Sequence, residues 1–335
     1  MTLPSTIKLD NMRNMVTHFP QLLSSIELDS NLTKICKEYE EEGIVGICFI
    51  GMGGSSIAGS YTKAILQSSS EIPMMVVKDY VLPKCVGRNW IVIAVSYSGN
   101  TEETLSALDN ATASGARRIL ITSGGEMSER KNETIIQLPG GLQPRAALPL
   151  ILSAVLPVTE KLLNLVTTDL QTISSFLVKS SDEWGKWIEL PIEIIKSISN
   201  SIPLFMGAEH LIPVAYRAKC QINENSKSVA FYSELPEANH NEIEGFANKY
   251  RTSVLPILLR STQYHPRIAK RFDVTKSVYE NMGLRTIEIF AKGDSAIQEM
   301  LSLTHYLDSV SVELADINGT DSLMVEKISE LKKRL

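Results

Sequence analysis

Cysteine, long apolar runs and clustered basic charge are all scarce in this chain, and each shortage excludes a class of protein. The sequence contains 4 cysteines, at positions 36, 48, 85 and 220, and no two of them form a C-x-x-C pair. Such scattered thiols fit neither a disulfide framework nor a zinc pattern, so we expect reduced cysteines and no metal site. No apolar run approaches about 20 residues and no signal-type leader opens the sequence, which predicts a cytoplasmic protein without membrane contact.

Charge, composition and length narrow the class of protein further. The formal net charge is -5 at pH 7, apolar residues make up 44% of the chain and charged residues 21%. This composition is typical of a folded globular protein. The clearest basic run is Lys332-Lys333-Arg334 at the end of the sequence, so we predict no nucleic-acid partner. With 335 residues the chain is long enough for two domains, each with its own core.

The run SYSGNT at 96–101 predicts a phosphate-binding turn. An apolar strand pattern, IVIAV, precedes it and a helix-forming segment follows. A helix start attracts an anion through its first backbone N–H groups, and the hydroxyls of Ser96, Ser98 and Thr101 would add donors. The lysine of a nucleotide P-loop, G-x-x-x-x-G-K-[ST], is missing, so a monophosphate is favoured over ATP. The same hydroxyls also suit ordinary N-capping of the helix, and both interpretations stay open.

A second glycine-rich turn lies upstream. The run GMGGSS at 51–56 also joins an apolar strand pattern to a helical one. In a parallel sheet both turns would open at the carboxyl edge, where α/β folds bind their ligands. The first glycines resemble a dinucleotide fingerprint, but Ser56 stands where its third glycine or alanine should be, so NAD remains a minor alternative.

Alternating strand and helix patterns predict an α/β fold with two domains, each a mostly parallel sheet flanked by helices. The first half closes with a loop of prolines and glycines at 139–144, which ends at Arg145. A mostly helical connector follows, and the alternation then repeats, so we predict domains at 1–150 and 151–335. The predicted strands are 45–50, 74–77, 90–95, 118–122, 135–138, 203–207, 253–259 and 285–290, and the predicted helices are 56–67, 101–114, 214–222, 265–282 and 295–316.

Two polar stretches of the second half contain candidate acid–base groups. Glu224 ends a largely apolar helical pattern, and His240 follows in another polar run. A carboxylate can move a proton between adjacent carbons, whereas an imidazole titrates near neutrality and can serve a ring oxygen. A solvated helix end for Glu224 and a structural hydrogen bond for His240 are the alternatives.

Six short motifs, taken in order, are more specific than any one of them alone. They are GMGGSS at 51–56, SYSGNTEET at 96–104, ITSGG at 121–125, PRAALP at 144–149, INENSK at 222–227 and LPEANHNEI at 235–243. Together they resemble the bifunctional phosphoglucose/phosphomannose isomerases, which are found chiefly in archaea and consist of two sugar-isomerase (SIS) domains. The resemblance spans nearly the whole chain. It implies a cofactor-independent enzyme that interconverts glucose 6-phosphate and mannose 6-phosphate with fructose 6-phosphate through a cis-enediol.

The resemblance also implies roles for individual residues. Arg145 would lie near C1 and C2 of the sugar and stabilise the enediolate, and Glu224 would be the base that moves the proton. The residues that would hold the sugar phosphate are Gly53, Gly54, Ser55, Ser96, Ser98 and Thr101.

Ring opening would need further groups. His240 would assist it from the partner subunit of a homodimer, and Lys332, in a terminal segment similar to that of the family, would be the second ring-opening group. Lys333 is the adjacent rival, and an ordinary solvated tail is the alternative. A threonine of the C-terminal segment is associated with mannose activity in the family. Here that region reads TDSLMV at 320–325, and we assign the role to none of its residues.

Two other functions stay open. One is that of another SIS-fold phosphosugar isomerase, such as an arabinose-5-phosphate or aminosugar isomerase, although most such chains use one SIS unit with an added domain. The other is a phosphosugar-sensing protein without turnover, which would be expected to carry a DNA-binding or other partner domain. The presence of Glu224 favours an enzyme over a sensor.

Overall fold

The computed structural model describes residues 9–184, 189–247 and 253–335. The chain divides into two compact units: unit 1 consists mainly of His18–Ser175, and unit 2 combines Asn11–Thr17 with Phe176–Leu335. Each unit contains its own parallel sheet, which confirms the predicted α/β fold with two such domains. None of the helices in the described ranges is both long and apolar enough to cross a membrane.

Unit 1 is organised around a five-stranded parallel sheet. Its strands are β1 (Gly46–Ile50), β2 (Met74–Val77), β3 (Trp90–Ser96), β4 (Arg117–Thr122) and β5 (Thr134–Gln137). They lie in the order β2-β1-β3-β4-β5, and β1 and β3 are buried along their whole length. Continuous apolar strands of this kind belong to parallel sheets that are covered by helices on both faces.

The strand order of unit 1 creates a topological switch point between β1 and β3. After β1 the chain adds β2 on one side, and after β2 it returns to add β3 on the other side. The connections from β1 and from β3 therefore diverge and leave a crevice at their carboxyl ends, which is where open α/β sheets bind ligands. Both glycine-rich turns that the sequence analysis singled out begin at this crevice.

Unit 2 is organised around a four-stranded parallel sheet with the same type of order. Its strands are β6 (Ile202–Ala208), β7 (Phe231–Leu235), β8 (Val254–Arg260) and β9 (Ile287–Phe290), and their order is β7-β6-β8-β9. The switch point of unit 2 lies between β6 and β8. The α-helices in the described ranges of both units are α1 (Met12–Thr17), α2 (Phe19–Leu23), α3 (Ser30–Glu41), α4 (Gly53–Leu66), α5 (Glu102–Ala113), α6 (Gly125–Ser128), α7 (Leu148–Leu162), α8 (Leu170–Trp184), α9 (Glu189–Ser199), α10 (Ile212–Asn225), α11 (Glu242–Gly245), α12 (Pro266–Asn281), α13 (Ala296–Ile317) and α14 (Glu326–Lys332).

The compact units divide later in the chain than the predicted domain boundary after residue 150. Helix α7, which the sequence analysis assigned to a connector, is buried on nearly all sides and packs against α2, α3 and α4 within unit 1. A helix that is apolar all round needs such a complete cover. The short segment Asn11–Thr17 groups instead with unit 2, where α1 packs on α13.

Strand β7 was missed by the sequence analysis. Its sequence FYSEL follows a polar stretch and contains a glutamate, and the strand forms the edge of the sheet, where Phe231 is exposed. An edge strand that is partly solvated lacks the continuous apolar run by which the buried strands are recognised. The other strands and the helices α4, α5, α10, α12 and α13 coincide with the predictions to within a few residues at their ends, whereas α3 was not predicted.

A buried ion pair joins helices α10 and α13 of unit 2. Arg217 on α10 is 1% exposed, and its Nε and Nη2 donate to the two carboxylate oxygens of Asp308 on α13, at 3.0 and 2.6 Å. This bidentate geometry lets the pair retain both charges in the core, because each charge is offset by its partner's hydrogen bonds. The pair fixes the position of α10 against α13, and α10 is the helix that ends with Glu224 and Asn225.

A buried histidine on α13 predicts a decline of stability in mild acid. Burial lowers the pKa of His305 to about 4, against a smaller opposing effect of its hydrogen bond to the backbone of Val16. Because the unfolded chain, with a pKa near 6.5, takes up the proton first, His305 contributes full stability above about pH 6.5 and loses it progressively toward pH 4. The loss should reach about 3 kcal/mol.

Urea unfolding of the wild type and of His305→Gln, at about pH 7.5 and about pH 5, tests this prediction. The wild type should lose about 2 kcal/mol more between the two pH values than the variant, which has no proton to take up at this position. An equal pH dependence of the two proteins would contradict the prediction.

Candidate active site

The two predicted phosphate turns lie side by side in unit 1. The first follows β1 and opens α4, and the second follows β3 and opens α5. They are joined directly, because the backbone N–H of Tyr97 donates to Ser55 Oγ at 3.3 Å. Ser55 and Ser96 are both buried. The two turns therefore lie together at one edge of the unit 1 sheet.

The second turn is shaped by its own hydroxyl groups. Ser96 Oγ donates to Thr101 Oγ1 at 2.9 Å and accepts from the N–H of Gly99 at 3.1 Å. The N–H of Asn100 lies 3.4 Å from Ser98 Oγ. Thr101 is the N-cap residue of α5, but its side chain makes no capping hydrogen bond to the helix. Ordinary N-capping by Thr101 therefore does not account for this group of hydroxyls.

A third turn, which follows β4, is hydrogen-bonded to the second turn. Ser123 donates from its backbone N–H and from its hydroxyl to the carbonyl of Tyr97, at 3.0 and 2.6 Å. The N–H of Glu126 donates to Asn100 Oδ1 at 2.9 Å. The ITSGG motif at 121–125 is thus part of the scaffold that holds the SYSGNT turn in its shape.

Gly99→Ala should disrupt the second turn far more than a matched glycine substitution. Gly99 has φ +72°, and a Cβ on it would lie 1.7 Å from the carbonyl oxygen of Gly124, so the second and third turns would be forced apart. We expect a lower Tm and at least about tenfold weaker binding of inorganic phosphate. In Gly115→Ala the residue has φ +74° but nothing within 4 Å of the new Cβ, so only left-handed strain of about 1–2 kcal/mol is added. Equal losses in the two variants, measured by thermal unfolding and phosphate titration, would contradict the prediction.

Arg145 lies next to the first turn. A Cβ on Gly54 would be 2.8 Å from the carbonyl oxygen of Pro144 and 3.3 Å from Arg145 Cα, so the start of α4 packs directly on this segment. Arg145 is 5% exposed, and its Nη1 lies 3.5 Å from Gln143 Oε1. Unit 1 therefore brings the phosphate turns and a buried guanidinium group together at one edge.

Tyr97 is a site residue to which the sequence analysis gave no role. Its hydroxyl donates to the carbonyl of Pro139 at 2.8 Å and accepts from the N–H of Leu142 at 3.2 Å. It thereby anchors the loop that leads to Arg145 onto the second turn. The signal was present, since Tyr97 is the residue between the two serines of SYSGNT, but only the fold shows which loop its hydroxyl reaches.

Glu224 lies in the last turn of α10 in unit 2 and is half-buried. The segment that follows it is held in place by Lys227, which has φ +54°. Its Nζ donates to the carbonyl of Glu224 at 2.6 Å and to that of Asp321 at 2.7 Å. The backbone around the carboxylate is thus anchored through two carbonyl groups.

The remaining predicted groups are exposed. His240 ends a short 3-10 helix, Glu237–His240, and Lys332 is the last residue of α14, with Lys333 directly after it. In the part of unit 2 that the structure describes, Glu224, His240 and Lys332 share no hydrogen bond or ion pair with one another. The residues predicted to bind phosphate therefore lie in unit 1, and the three predicted proton-transfer groups lie in unit 2.

Two family models match the two halves of the chain. Residues 46–155 match the model of the SIS domain, and residues 190–335 match that of the bacterial phospho-glucose isomerase C-terminal SIS domain. A bifunctional phosphoglucose/phosphomannose isomerase from Aquifex aeolicus is 38% identical over 87% of this chain and 90% of its own length. One from Caldicellulosiruptor bescii is 36% identical over 94% and 96%. The chain belongs to the bifunctional phosphoglucose/phosphomannose isomerase family.

The resemblance noted in the sequence motifs is thereby confirmed. A D-glucosamine-6-phosphate 4-epimerase from Sulfolobus acidocaldarius is also similar, with 32% identity over 69% of this chain and 77% of its own length. Among solved structures, the tagatose-6-phosphate ketose/aldose isomerase of Escherichia coli superposes with a TM-score of 0.72 over 96% of this chain and 97% of its own, at 14% identity. That likeness shows the fold alone. The bifunctional isomerase family therefore shares its two-SIS architecture with phosphosugar enzymes of other names.

Proposed function

We propose that this protein interconverts glucose 6-phosphate and mannose 6-phosphate with fructose 6-phosphate. The observation that carries the proposal is the edge of unit 1, where two joined hydroxyl-rich turns lie beside the buried guanidinium group of Arg145. Membership of the bifunctional isomerase family supports the same substrates.

The phosphate group would be bound by the turns of unit 1. Backbone N–H groups at the starts of α4 and α5 and the hydroxyls of Ser55, Ser96, Ser98 and Thr101 are suitable donors for a dianion. Gly53 and Gly54 allow the chain to pass close to it. Because the phosphate is remote from the carbons that react, its binding energy serves to hold those carbons in place.

The chemical step would be a proton transfer between adjacent carbons. The Glu224 carboxylate would take the proton from C1 of open-chain fructose 6-phosphate as the C2 carbonyl becomes an enediolate oxygen, which Arg145 would stabilise. Return of the proton to C2, with movement of the O1 proton to O2, leaves the C1 aldehyde. Protonation on one face of C2 gives glucose 6-phosphate and on the other gives mannose 6-phosphate. No electron leaves the sugar, so the step balances without a cofactor.

Ring opening would be assisted by His240 and Lys332, with Lys333 as the alternative lysine. His240 is exposed on unit 2, which supports its delivery to the active site of a partner chain. We therefore propose a homodimer in which each active site takes Glu224 from one chain and His240 from the other.

A subunit-mixing experiment tests the delivery in trans. Glu224→Gln and His240→Gln should each be nearly inactive as homodimers. When the two are unfolded together and refolded, half of the dimers should be mixed and each mixed dimer should contain one intact site, so about a quarter of the wild-type activity should return. No recovery above the separate variants, with mixed dimers verified by a tag on one chain, would show that His240 acts within its own chain.

The decisive test of the activity is a product assay. The purified protein, treated with EDTA, is given fructose 6-phosphate, and glucose 6-phosphate and mannose 6-phosphate are followed separately. Formation of both products supports the proposal, and glucose 6-phosphate alone reduces it to a phosphoglucose isomerase. Binding without turnover would favour a sensor. Conversion of glucosamine 6-phosphate instead would favour the activity named for the Sulfolobus relative.

A further inference from the structure

The carboxyl edge of the unit 2 sheet repeats the plan of the phosphate site in unit 1. Strand β6 corresponds to β1 and strand β8 to β3, because both pairs flank the switch point of their sheet. In unit 1 the turn after the second of these strands begins with Ser96, and in unit 2 it begins with Ser261 and Thr262. The turn after β6 contributes His210. Unit 2 thus also presents hydroxyl and N–H donors where an SIS fold would bind an anion.

These donors of unit 2 already hold an anion that belongs to the chain. Both carboxylate oxygens of Glu299, in the first turn of α13, are occupied. One accepts from the N–H and the hydroxyl of Thr262, at 2.9 and 2.8 Å. The other accepts from Ser261 Oγ and, at 2.9 Å, from His210 Nε2 in the tautomer that carries its proton there. The two carboxylate oxygens of Glu299 thus accept four hydrogen bonds, as the oxygens of a bound oxyanion would.

The environment of Glu299 matches that of a ligand rather than a surface carboxylate. The residue is 0% exposed. Burial by itself raises the pKa of its carboxyl group, but the hydrogen bonds from His210, Ser261 and Thr262 outweigh burial and lower that pKa, so the group stays ionised. Tyr264 links the ends of β6 and β8 at this edge, because its hydroxyl donates to the carbonyl of Leu259 and accepts from the N–H of Ala208.

The equivalent carboxylate of unit 1 does not fill its own edge. The helix after β4 is α6, and its first-turn acidic residue is Glu126. The carboxylate of Glu126 is exposed and accepts from Arg130 Nη2 at 2.9 Å. Glu126 therefore does not bind the turn hydroxyls of Ser96 and Ser98 in unit 1, whereas Glu299 binds the corresponding donors of unit 2.

We propose that the carboxyl edge of the unit 2 sheet is a phosphate-type anion site whose permanent occupant is the side chain of Glu299. Unit 2 keeps the anion-binding geometry of an SIS domain but is closed to phosphosugars. Among the residues that the structure describes, the proposed phosphate cradle is therefore that of unit 1, and the edge of unit 2 acts as a structural clamp between β6, β8 and α13.

A hydrolytic triad is a different use of serine, histidine and glutamate, and the geometry argues against it. In such a triad the acid contacts the ring nitrogen opposite the one that faces the serine. Here the same atom, His210 Nε2, contacts Glu299 at 2.9 Å and lies 3.4 Å from Ser261 Oγ. The serine hydroxyl donates to the carboxylate itself, as a binding group does.

Glu299→Ala should open the site to inorganic phosphate. The change removes a methylene and a carboxylate, a volume close to that of a small oxyanion, and leaves the four donors without their acceptor. Equilibrium dialysis with labelled phosphate should find one additional phosphate per chain compared with the wild type. At about five times the dissociation constant, phosphate should raise the Tm of the variant by roughly 2–4 °C more than that of the wild type, with ionic strength held constant by KCl.

Two variants serve as controls. Glu299→Gln should bind no additional phosphate, because its amide still fills the space. Glu313→Ala removes another carboxylate of the same helix, one that pairs with Arg13 near the surface, and should also gain none. The comparison with the wild type isolates unit 2, so the result does not depend on the substrate proposed for unit 1.

The phosphate-binding results for Glu299→Ala decide for or against the proposal. An additional phosphate in Glu299→Ala alone supports the proposal, and a folded Glu299→Ala without additional phosphate overturns it. If Glu299→Ala does not fold in chloride, refolding is repeated at equal ionic strength in phosphate and in formate, which resembles the missing carboxylate. Recovery of the folded state in these oxyanions supports the proposal, and the same failure in all three salts overturns it.

Discussion

Replacement of Glu224 by glutamine should reduce kcat for both glucose 6-phosphate and mannose 6-phosphate formation by at least about 10²–10⁴-fold, the usual contribution of a positioned acid–base group. The amide keeps the shape of the side chain but cannot accept the proton from carbon. KM for fructose 6-phosphate should change little, because the proposed phosphate contacts lie in unit 1, whereas Glu224 lies at the end of α10 in unit 2. Steady-state kinetics with separate detection of the two products measures both parameters.

The control for Glu224→Gln is Glu71→Gln. Glu71 is exposed and precedes β2, so it lies toward the amino edge of the unit 1 sheet, opposite to the carboxyl edge that holds the phosphate turns. Its variant should keep the wild-type kcat. A Glu224→Gln enzyme that retains more than about a tenth of kcat would remove Glu224 from the role of base, since general catalysis of this kind contributes at least about 10²-fold.

Replacement of Arg145 by glutamine should reduce kcat by about 10²–10³-fold, the effect found when one donor to a developing oxyanion is removed. The guanidinium is buried beside the start of α4 and has a polar partner, Gln143, at 3.5 Å. If it stabilises charge that forms only during the reaction, the loss appears in kcat and not in KM. Kinetics at saturating and at low fructose 6-phosphate separate the two parameters.

Two further variants sharpen the test on Arg145. Arg88→Gln removes an exposed arginine of the same unit and should leave kcat unchanged. Arg145→Lys keeps the positive charge but loses the planar fork, so it should fall between the wild type and Arg145→Gln. A rise of KM with kcat preserved would assign Arg145 to ground-state binding of the phosphate instead.

Much of the fold was predictable because the buried strands of a parallel sheet are read from short-range pattern. Strands β1 and β3 are continuous apolar runs followed at once by glycine and serine, and both the strands and their turns lie where the sequence analysis placed them. Strand β7 lacks this pattern because its edge position leaves alternate side chains in solvent. Helix α7 was recognised as helical, but its membership of unit 1 depends on which helices cover it.

Some features of the candidate site were likewise predictable from the sequence, and others were not. The hydroxyls of Ser96 and Thr101 could be recognised in the sequence from their spacing after a strand pattern. In the structure the two hydroxyls hydrogen-bond to each other, and Thr101 makes no capping hydrogen bond to the helix start. The role of Tyr97 depends on a loop more than forty residues away, which its hydroxyl contacts. Glu299 was only a polar position in a long helix pattern, and nothing in its neighbourhood along the chain indicates a carboxylate with four donors.

The sequence by itself determined the two-domain α/β architecture, the family and the positions of the two glycine- and serine-rich turns, because each depends on residues that are close together along the chain. Only the tertiary structure decided how the turns join through Ser55 and Tyr97, where Arg145 lies, and that the donors of unit 2 enclose Glu299. Hydrogen bonds between distant segments depend on sheet order and on helix packing. A parallel sheet brings the ends of strands that are far apart in sequence to one edge, and it is there that the two units come to differ.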